Sequence, residues 1–337
     1  MRKIYTRYFL SANTSKGYRS FLNQLDEQGI NMFKSMLLPD DIIEELIKKV
    51  KIRTSEEGLD MEIIMNPLTN KESGIIVPKL RSGFINLSIF EKDQYDKAID
   101  YNGKRMNDIK EKFNNAYDYF AKALKIHDDW EEIYISNTDF QKIDKLKDDL
   151  TNSILADKAL DKKGIRKDRF LGSSTSEGPV DYIEQLTCDQ EKRYFIKGRP
   201  GTGKSTFMKG IAEKALEKGF DVDMYHCAFD PDSIDMIIIN ELGISIFDST
   251  APHEHFPSKS SDEIIDIYKI AVKDFTDEIY EDKLKVISEN YKFNVSKAVE
   301  ALKEARNIID DNKDLIDKVS KERLNLIKYD IWYNIFR

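Results

Sequence analysis

The sequence of 337 residues lacks the features that mark membrane, secreted or unfolded chains. No apolar run approaches the roughly 18 residues of a bilayer-spanning helix, and the N-terminal residues lead into no apolar signal segment. Only 15 glycines and 8 prolines accompany 40% hydrophobic residues, a composition that excludes a disordered or fibrous chain. We therefore expect a folded, helix-rich, cytosolic protein without a membrane partner.

The sequence also has only two cysteines and has no excess of positive charge. Cys188 and Cys227 have no CxxC or Cys/His spacing, so we expect idle thiols rather than a disulfide or a zinc site. The chain carries 53 basic against 61 acidic residues, a net charge of −8. This balance disfavours general capture of nucleic acid by the electrostatic field of the protein.

The sequence resembles itself at a separation of 161 residues. The segment Phe9–Gly17 aligns on Phe170–Gly178, and the same offset later places Pro39 on Pro200. Further along, charged helical stretches align at a separation of 182 residues. Alignment at a constant offset over many residues indicates an internal repeat.

Two domains are therefore predicted, residues 1–160 and 161–337, which we call the first half and the second half. The predicted fold class is α/β, with a P-loop-like three-layer core in tandem and a long helical hairpin after each copy. Apolar residues at three-to-four spacing in the long helices, near 98–130 and 264–325, indicate packing faces. A basic stretch, Asp161–Lys167, is the expected linker.

The clearest motif is a phosphate-binding loop in the second half. Residues 198–205 read GRPGTGKS and match the pattern GxxxxGK[ST], between a predicted strand at Arg193–Lys197 and a predicted helix at Ser205–Lys218. Glycines let successive backbone N–H groups converge on one point, and the helix dipole favours an anion there. Lys204 would bridge the β- and γ-phosphates and the Ser205 hydroxyl would ligate Mg²⁺. The predicted nucleotide-binding residues are Gly198, Arg199, Pro200, Gly201, Thr202, Gly203, Lys204, Ser205 and Thr206.

Two aspartates complete the predicted catalytic set with Lys204. Asp248 closes an apolar strand that begins at Gly243, the Walker B pattern, and would reach Mg²⁺ together with Ser205. Asp230 follows the strand Asp221–Cys227 and is a candidate to orient an attacking water or to take a proton from an acceptor. A turn-capping role for Asp230 is equally compatible with the sequence.

Histidine offers weaker signals. His253 and His255 follow Asp248 closely enough to contact a γ-phosphate, but their spacing in a proline-containing loop gives no preformed metal geometry. His127 and His226 are expected to be structural.

The first half lacks the phosphate cradle. At the offset of 161, Lys204 falls on Ile43 and Ser205 on Glu44, and Ser88 stands where the second half has Asp248. We therefore expect one nucleotide per chain, bound by the second half, and a degenerate, catalytically silent first half.

The duplicated FLxxxTSxG opening, the segment YFIKGRPGTGKST, and the later YHC, FDPDS and FDSTAPH motifs resemble an uncharacterised family of tandem P-loop proteins from spore-forming Firmicutes. Members are labelled ATP-binding or nucleotide-kinase-related, and the resemblance covers nearly the whole chain. It implies ATP and Mg²⁺ as ligands. Family members commonly carry a P-loop in both copies and run somewhat further, and this sequence departs from both features.

The leading functional prediction is an ATP-binding P-loop NTPase, either a slow ATPase or a nucleotide-dependent switch. A nucleotide-kinase-like phosphotransferase with Asp230 as base is the alternative, although only Arg306, Arg323 and Arg337 follow the loop to clamp a transferring phosphoryl group. A third reading is a non-catalytic ATP-binding protein whose long helices contact a protein partner. GTP is disfavoured because no NKxD signature is present.

Overall fold

The computed structural model describes residues 5–36, 38, 40–94, 103–251, 254–311 and 321–336, which form a mixed α/β protein. The strands of the first half are β1 (Tyr5–Tyr8), β2 (Ser11–Thr14), β3 (Gly17–Ser20), β4 (Asn31–Met36), β5 (Met61–Met65), β6 (Glu72–Val77) and β7 (Ser82–Leu87). Those of the second half are β8 (Arg166–Phe170), β9 (Gly172–Thr175), β10 (Gly178–Asp181), β11 (Lys192–Lys197), β12 (Val222–His226), β13 (Ile234–Ile239), β14 (Ile244–Asp248) and β15 (Glu263–Asp266).

The α-helices of the described residues include one long helix from each half, α3 and α9. The full set is α1 (Asn23–Glu27), α2 (Asp40–Glu56), α3 (Gly103–Ile135), α4 (Phe140–Leu155), α5 (Ile183–Thr187), α6 (Lys204–Glu217), α7 (Ile267–Ala271), α8 (Thr276–Ile279), α9 (Glu281–Asp310) and α10 (Lys321–Phe336). The expected linker is partly strand, because β8 begins at Arg166. Within the described ranges, none of the helices combines the length and apolar composition that a bilayer-spanning segment requires.

Two sheets have the same strand order and the same strand directions. The first runs β1-β5-β6-β7-β4, and the second runs β8-β12-β13-β14-β11 with β15 added beyond β11. In each sheet the outer pairs are parallel, while the central strand, β6 or β13, is antiparallel to both of its neighbours. The β2–β3 and β9–β10 hairpins follow β1 and β8 respectively.

The two sheets pack against each other, and this corrects the expected three-layer arrangement. Neighbours Ile63 and Ile64 of β5 lie in different apolar clusters, as alternation along a strand requires. The cluster of Ile64 combines the inner faces of both sheets, as shown by Ile64, Ile85, Phe195 and Phe247. The outer faces are covered by α2 and α10 on the first sheet and by α4 and α6 on the second. The layers therefore run helix, sheet, sheet, helix.

The long helices pair between the halves, so the helical hairpins expected within each half are wrong. The apolar stripe of α3 does form a packing face, but Phe113 and Phe120 meet Ala298 and Leu302 of α9. Helix α4 of the first half packs on α6, and α10 of the second half packs on β7. An apolar stripe shows that a helix face is buried but does not specify its partner.

Reciprocal hydrogen bonds join the halves at the edges of the sheets. The Gln24 side chain accepts from the backbone amide of Asp168 (2.9 Å) in β8, and the Gln185 side chain accepts from that of Arg7 (2.8 Å) in β1. The backbones of Phe9 and Phe170 exchange two hydrogen bonds of 3.0 and 2.8 Å. Exposed strand edges are thereby satisfied by the opposite half.

A buried ion cluster lies at the same interface. The Arg169 guanidinium of β8 contacts Glu62 of the first sheet (3.0 Å) and Asp223 of the second (2.9 Å), and lies 4.3 Å from the centre of the Tyr8 ring. The Tyr8 hydroxyl donates to Glu62 (2.5 Å). Burial by itself would raise the pKa of Glu62, but Arg169 and this hydrogen bond outweigh it and the pKa is lowered.

We expect Arg169→Met to lower the free energy of unfolding by about 3–5 kcal/mol, because it leaves two buried carboxylates without their cation. Urea denaturation followed by circular dichroism would measure the loss. Arg166→Met, in the same strand, removes a half-exposed guanidinium paired with Asp168 and should cost less than about 1 kcal/mol. Equal effects of the two substitutions would contradict a central role for the cluster.

Candidate phosphate-binding site

The loop of residues 198–203 connects β11 to α6, as the motif predicts. Gly201 and Gly203 have φ angles of +74° and +82°, which favour glycine. Helix α6 begins after Gly203 without a side-chain cap. Its first N–H groups therefore lack acceptors within the helix and, with the helix dipole, suit a bound anion.

The Lys204 ammonium group lies over this loop. It donates to the backbone oxygen of Arg199 (2.8 Å) and lies 3.5 Å from a carboxylate oxygen of Asp248. The Thr202 hydroxyl donates to the same Arg199 oxygen (2.7 Å). Asp248 comes this close because it ends β14, directly beside Ile196 of β11. The two charged groups thus meet at the carboxyl edge of neighbouring parallel strands, where ligands commonly bind in α/β sheets.

Ser205 and Asp248 offer the oxygen ligands that Mg²⁺ prefers. Ser205 follows Lys204 directly, and its hydroxyl accepts from the backbone amide of Ile234 (2.8 Å). The second carboxylate oxygen of Asp248 accepts from the amide of Thr250 (2.9 Å). Both side chains are thus held by backbone amides, Ser205 by the amide at the start of β13 and Asp248 by an amide just after the end of β14.

Asp230 is paired with a lysine from the first half. Lys16, in the turn between β2 and β3, donates to Asp230 (2.8 Å) and to Asp232 (2.6 Å). The turn is fixed because the backbone amide and the hydroxyl of Ser15 both donate to the backbone oxygen of Phe229, at 2.9 and 2.7 Å. Asp230 also accepts from the Ser233 hydroxyl (2.9 Å). The Asp230 side chain is therefore held in place by two donors, and action as a base would compete with Lys16.

The C-terminal turns of α3 lie directly on the loop. A methyl group added to Gly201 would come within 2.6 Å of the backbone oxygen of Glu131 and 2.9 Å of its Cα atom. The Cβ atom of Glu131 would lie 3.0 Å from the same methyl group, so the Glu131 side chain begins at the loop. Burial is the largest influence on this carboxyl group and raises its pKa, as do Asp128 and Asp230, while Lys204 acts in the opposite direction.

His127 lies beside Glu131, close to the loop, and its structural role stays a prediction. Its Nδ1 atom is 3.7 Å from a Glu131 oxygen, and the possible ligand atoms of His127, Asp128 and Glu131 all lie within 4.8 Å of one another. Burial lowers the pKa of His127, and the positive charge of Lys204 lowers it further. The imidazole is therefore expected to be neutral near pH 7.

Lys16, His127 and Glu131 have no sequence motif that could have assigned them to this site. They lie in the first half, 67 or more residues before the loop along the chain. Only the exchange of long helices and the contact between the β2–β3 turn and Phe229 bring them to it. The first half is therefore structurally part of the site, although its own strand-to-helix connection has no phosphate motif.

The remaining predicted loop residues differ in their surroundings. Arg199 is directed away from Lys204, because its guanidinium pairs with Asp277 (2.6 Å) and lies 5.1 Å from the centre of the Tyr268 ring. Pro200 is half-buried, and Thr206 is exposed in the first turn of α6. Gly198 is closely approached, since an added methyl group would lie 2.7 Å from the Thr202 hydroxyl.

The contacts of the other histidines and of the cysteines are as follows. His226 is buried between Asp168 and the backbone oxygen of Pro231, both at 2.7 Å, which fits the structural role expected of it. His255 contacts Asp181 at 3.3 Å. His253 lies outside the described residues. Cys188 and Cys227 are free thiols, as expected.

The corresponding region of the first half opposes anion binding. The first turn of α2 carries Asp40 and Asp41, whose charges are unfavourable to a phosphate at a helix N-terminus. Asp40 is already paired with Lys71 at 2.7 Å. Ser88, which takes the position of Asp248, donates instead to the Tyr18 hydroxyl (2.8 Å).

Comparisons with protein-family models, with curated proteins and with solved structures find no match to this chain. Its function is therefore inferred from the residues and geometry given above.

We expect Gly201→Ala to lower the free energy of unfolding by about 1–3 kcal/mol, because it adds backbone strain and a clash with α3. Gly58→Ala is the matched control, since Gly58 also has positive φ but its added methyl group would meet nothing within 4 Å. Thermal denaturation of both variants would separate strain from contact. Identical losses would show that α3 does not press on the loop.

Proposed function

We propose that this chain binds ATP with Mg²⁺ through residues 198–206 and acts as a slow ATPase or a nucleotide-dependent switch. The observation that carries the proposal is the uncapped N-terminus of α6 with Lys204 placed between Arg199 and Asp248. In the absence of a nucleotide, the lysine bonds its own loop. A triphosphate would offer it a stronger, charge-assisted partner.

In this proposal, Mg²⁺ is held by Ser205 and Asp248, and Lys204 neutralises charge on the terminal phosphates. Asp230, held in place by Lys16, orients a water molecule. The rate is expected to be low, because catalysis of phosphoryl transfer depends on positively charged groups around the terminal phosphate.

The arrangement of arginines favours hydrolysis or switching over a kinase-like transfer. Arg199 is held by Asp277, Arg193 by the buried Asp262 (2.5 Å), and Arg306 by Glu177 (3.1 Å). A kinase would need such guanidinium groups free to clamp the transferring phosphoryl group. Acceptor-dependent loss of ATP in a single-turnover experiment would support the kinase alternative, and phosphate release with water alone would support the ATPase.

The fold in this proposal is a duplicated P-loop-like unit, residues 1–160 and 161–337, whose first copy has lost phosphate binding. The matching strand order of the two sheets supports it, as does the resemblance to tandem P-loop proteins. The proposed setting is the cytosol. A protein partner would contact the α3–α9 pair, which the bound nucleotide would influence through the contact of α3 with the loop.

We expect Lys204→Ala to weaken binding of an ATP analogue with Mg²⁺ by about tenfold to a hundredfold, because a charge-assisted contact with phosphate is lost. Isothermal titration calorimetry would measure the change. Lys214→Ala, in the last turn of the same helix and paired with Glu217 on the surface, should leave the affinity unchanged. Unaltered affinity in the Lys204 variant would remove the basis of the proposed site.

Equilibrium dialysis with the same analogue should give one bound nucleotide per chain, since the first turn of α2 carries aspartates in place of the phosphate loop. Two bound nucleotides would show that the first half retains a site. In that case Lys204→Ala should weaken only the nucleotide bound by the second half.

A further inference from the structure

A carboxylate from the first half lies beside the phosphate loop. Glu131, near the end of α3, is half-exposed, and a methyl group placed on Gly201 would lie 2.6 Å from its backbone oxygen and 3.0 Å from its Cβ atom. One of its carboxylate oxygens lies 3.7 Å from the Nδ1 atom of His127, whose ring is 5.9 Å from the ring of Phe229, the residue before Asp230. A triphosphate bound to the loop would therefore lie close to this negative charge.

We infer that Glu131 is an affinity-determining residue of the phosphate site, whose negative charge beside Gly201 opposes a bound phosphate group, so that nucleotide binding requires this carboxylate to be neutralised or displaced. The inference rests on the proposed function and adds a residue from the opposite half. Two like charges that are brought close together repel each other.

The charged groups around Glu131 define when the competition operates. His127 and Asp128 lie near it on its own helix. The charge of Lys204 acts on it from α6, and that of Asp230 acts from the loop after β12. Burial and the two aspartates raise the pKa of the Glu131 carboxyl group, so it takes up a proton at a higher pH than an ordinary glutamate. Protonation of Glu131 removes its repulsion of a phosphate group while leaving the side chain in place.

We also expect nucleotide binding to change the contact between α3 and α9. Trp130 precedes Glu131, and its ring lies 6.5 Å from the His127 ring and 6.2 Å from the Tyr291 ring of α9. A carboxylate pushed off the loop would shift this aromatic group against α9. Trp130 is therefore a reporter for displacement of Glu131, and the second tryptophan, Trp332, can be removed by a Trp332→Phe substitution.

The test compares Glu131→Gln with the wild type in calorimetric titrations of an ATP analogue with Mg²⁺ between pH 5 and pH 8. We expect Glu131→Gln to bind at least about tenfold more tightly at pH 8, because the competing charge is gone. The ratio of the two affinities should fall towards one as the pH decreases and Glu131 becomes protonated. Taking the ratio cancels the ionisation of the nucleotide itself, whose phosphate has a pKa of about 6.

Glu132→Gln is the matched control, since this neighbour carries the same charge but is exposed and does not face the loop. It should bind as the wild type does at every pH. In the Trp332→Phe background, nucleotide should change the fluorescence of Trp130 in the wild-type site and less in the Glu131→Gln variant.

Equal affinities of Glu131→Gln and the wild type across this pH range would overturn the inference while leaving the proposed function intact. An affinity ratio that does not change with pH would also overturn it, since the Glu131 carboxylate would then not be the titrating competitor. Failure of both proteins to bind the nucleotide at any pH would instead refute the proposed function.

Discussion

The fixed contact between the two sheets is the constraint on which the rest of the molecule depends. Arg169 binds one carboxylate from each sheet, and the apolar side chains around it interleave from both inner faces. Because the guanidinium is 9% exposed, its charge is not screened by water, and the pair of carboxylates specifies how the sheets face each other. The positions of Lys16 and α3 follow from this relation.

With the sheets fixed, a loop from one half and a helix from the other form a single site. The second half supplies the amide groups at the start of α6, and Lys204 with Asp248 beside it. The first half supplies Glu131, which packs on Gly201, and Lys16, which pairs with Asp230. These charged groups have opposite signs, so the electrostatic potential at the loop is a difference between opposing contributions and depends on the position of α3.

Local features of this molecule could be predicted from sequence, and long-range ones could not. The strand, loop and helix around Gly201 are contiguous, and their motif specifies the backbone that glycine permits. The sequence does not predict the packing of sheet on sheet. Strands such as β5 and β13 are buried on both faces, and a strand has the same apolar sequence whether a helix or a second sheet covers it. Glu131 was missed because a charged residue in a solvated-looking helix carries no sign of the loop it contacts.

The exchange of covering helices has a consequence for the order of events during synthesis. The outer face of the first sheet is covered by α10, whose Ile331 is fully buried, yet α10 is translated more than 230 residues after β7. Until it emerges from the ribosome, that face has α2 against it but not α10, and the side chains that α10 covers are exposed. Nascent chains are therefore expected to need protection from aggregation until translation has passed residue 336.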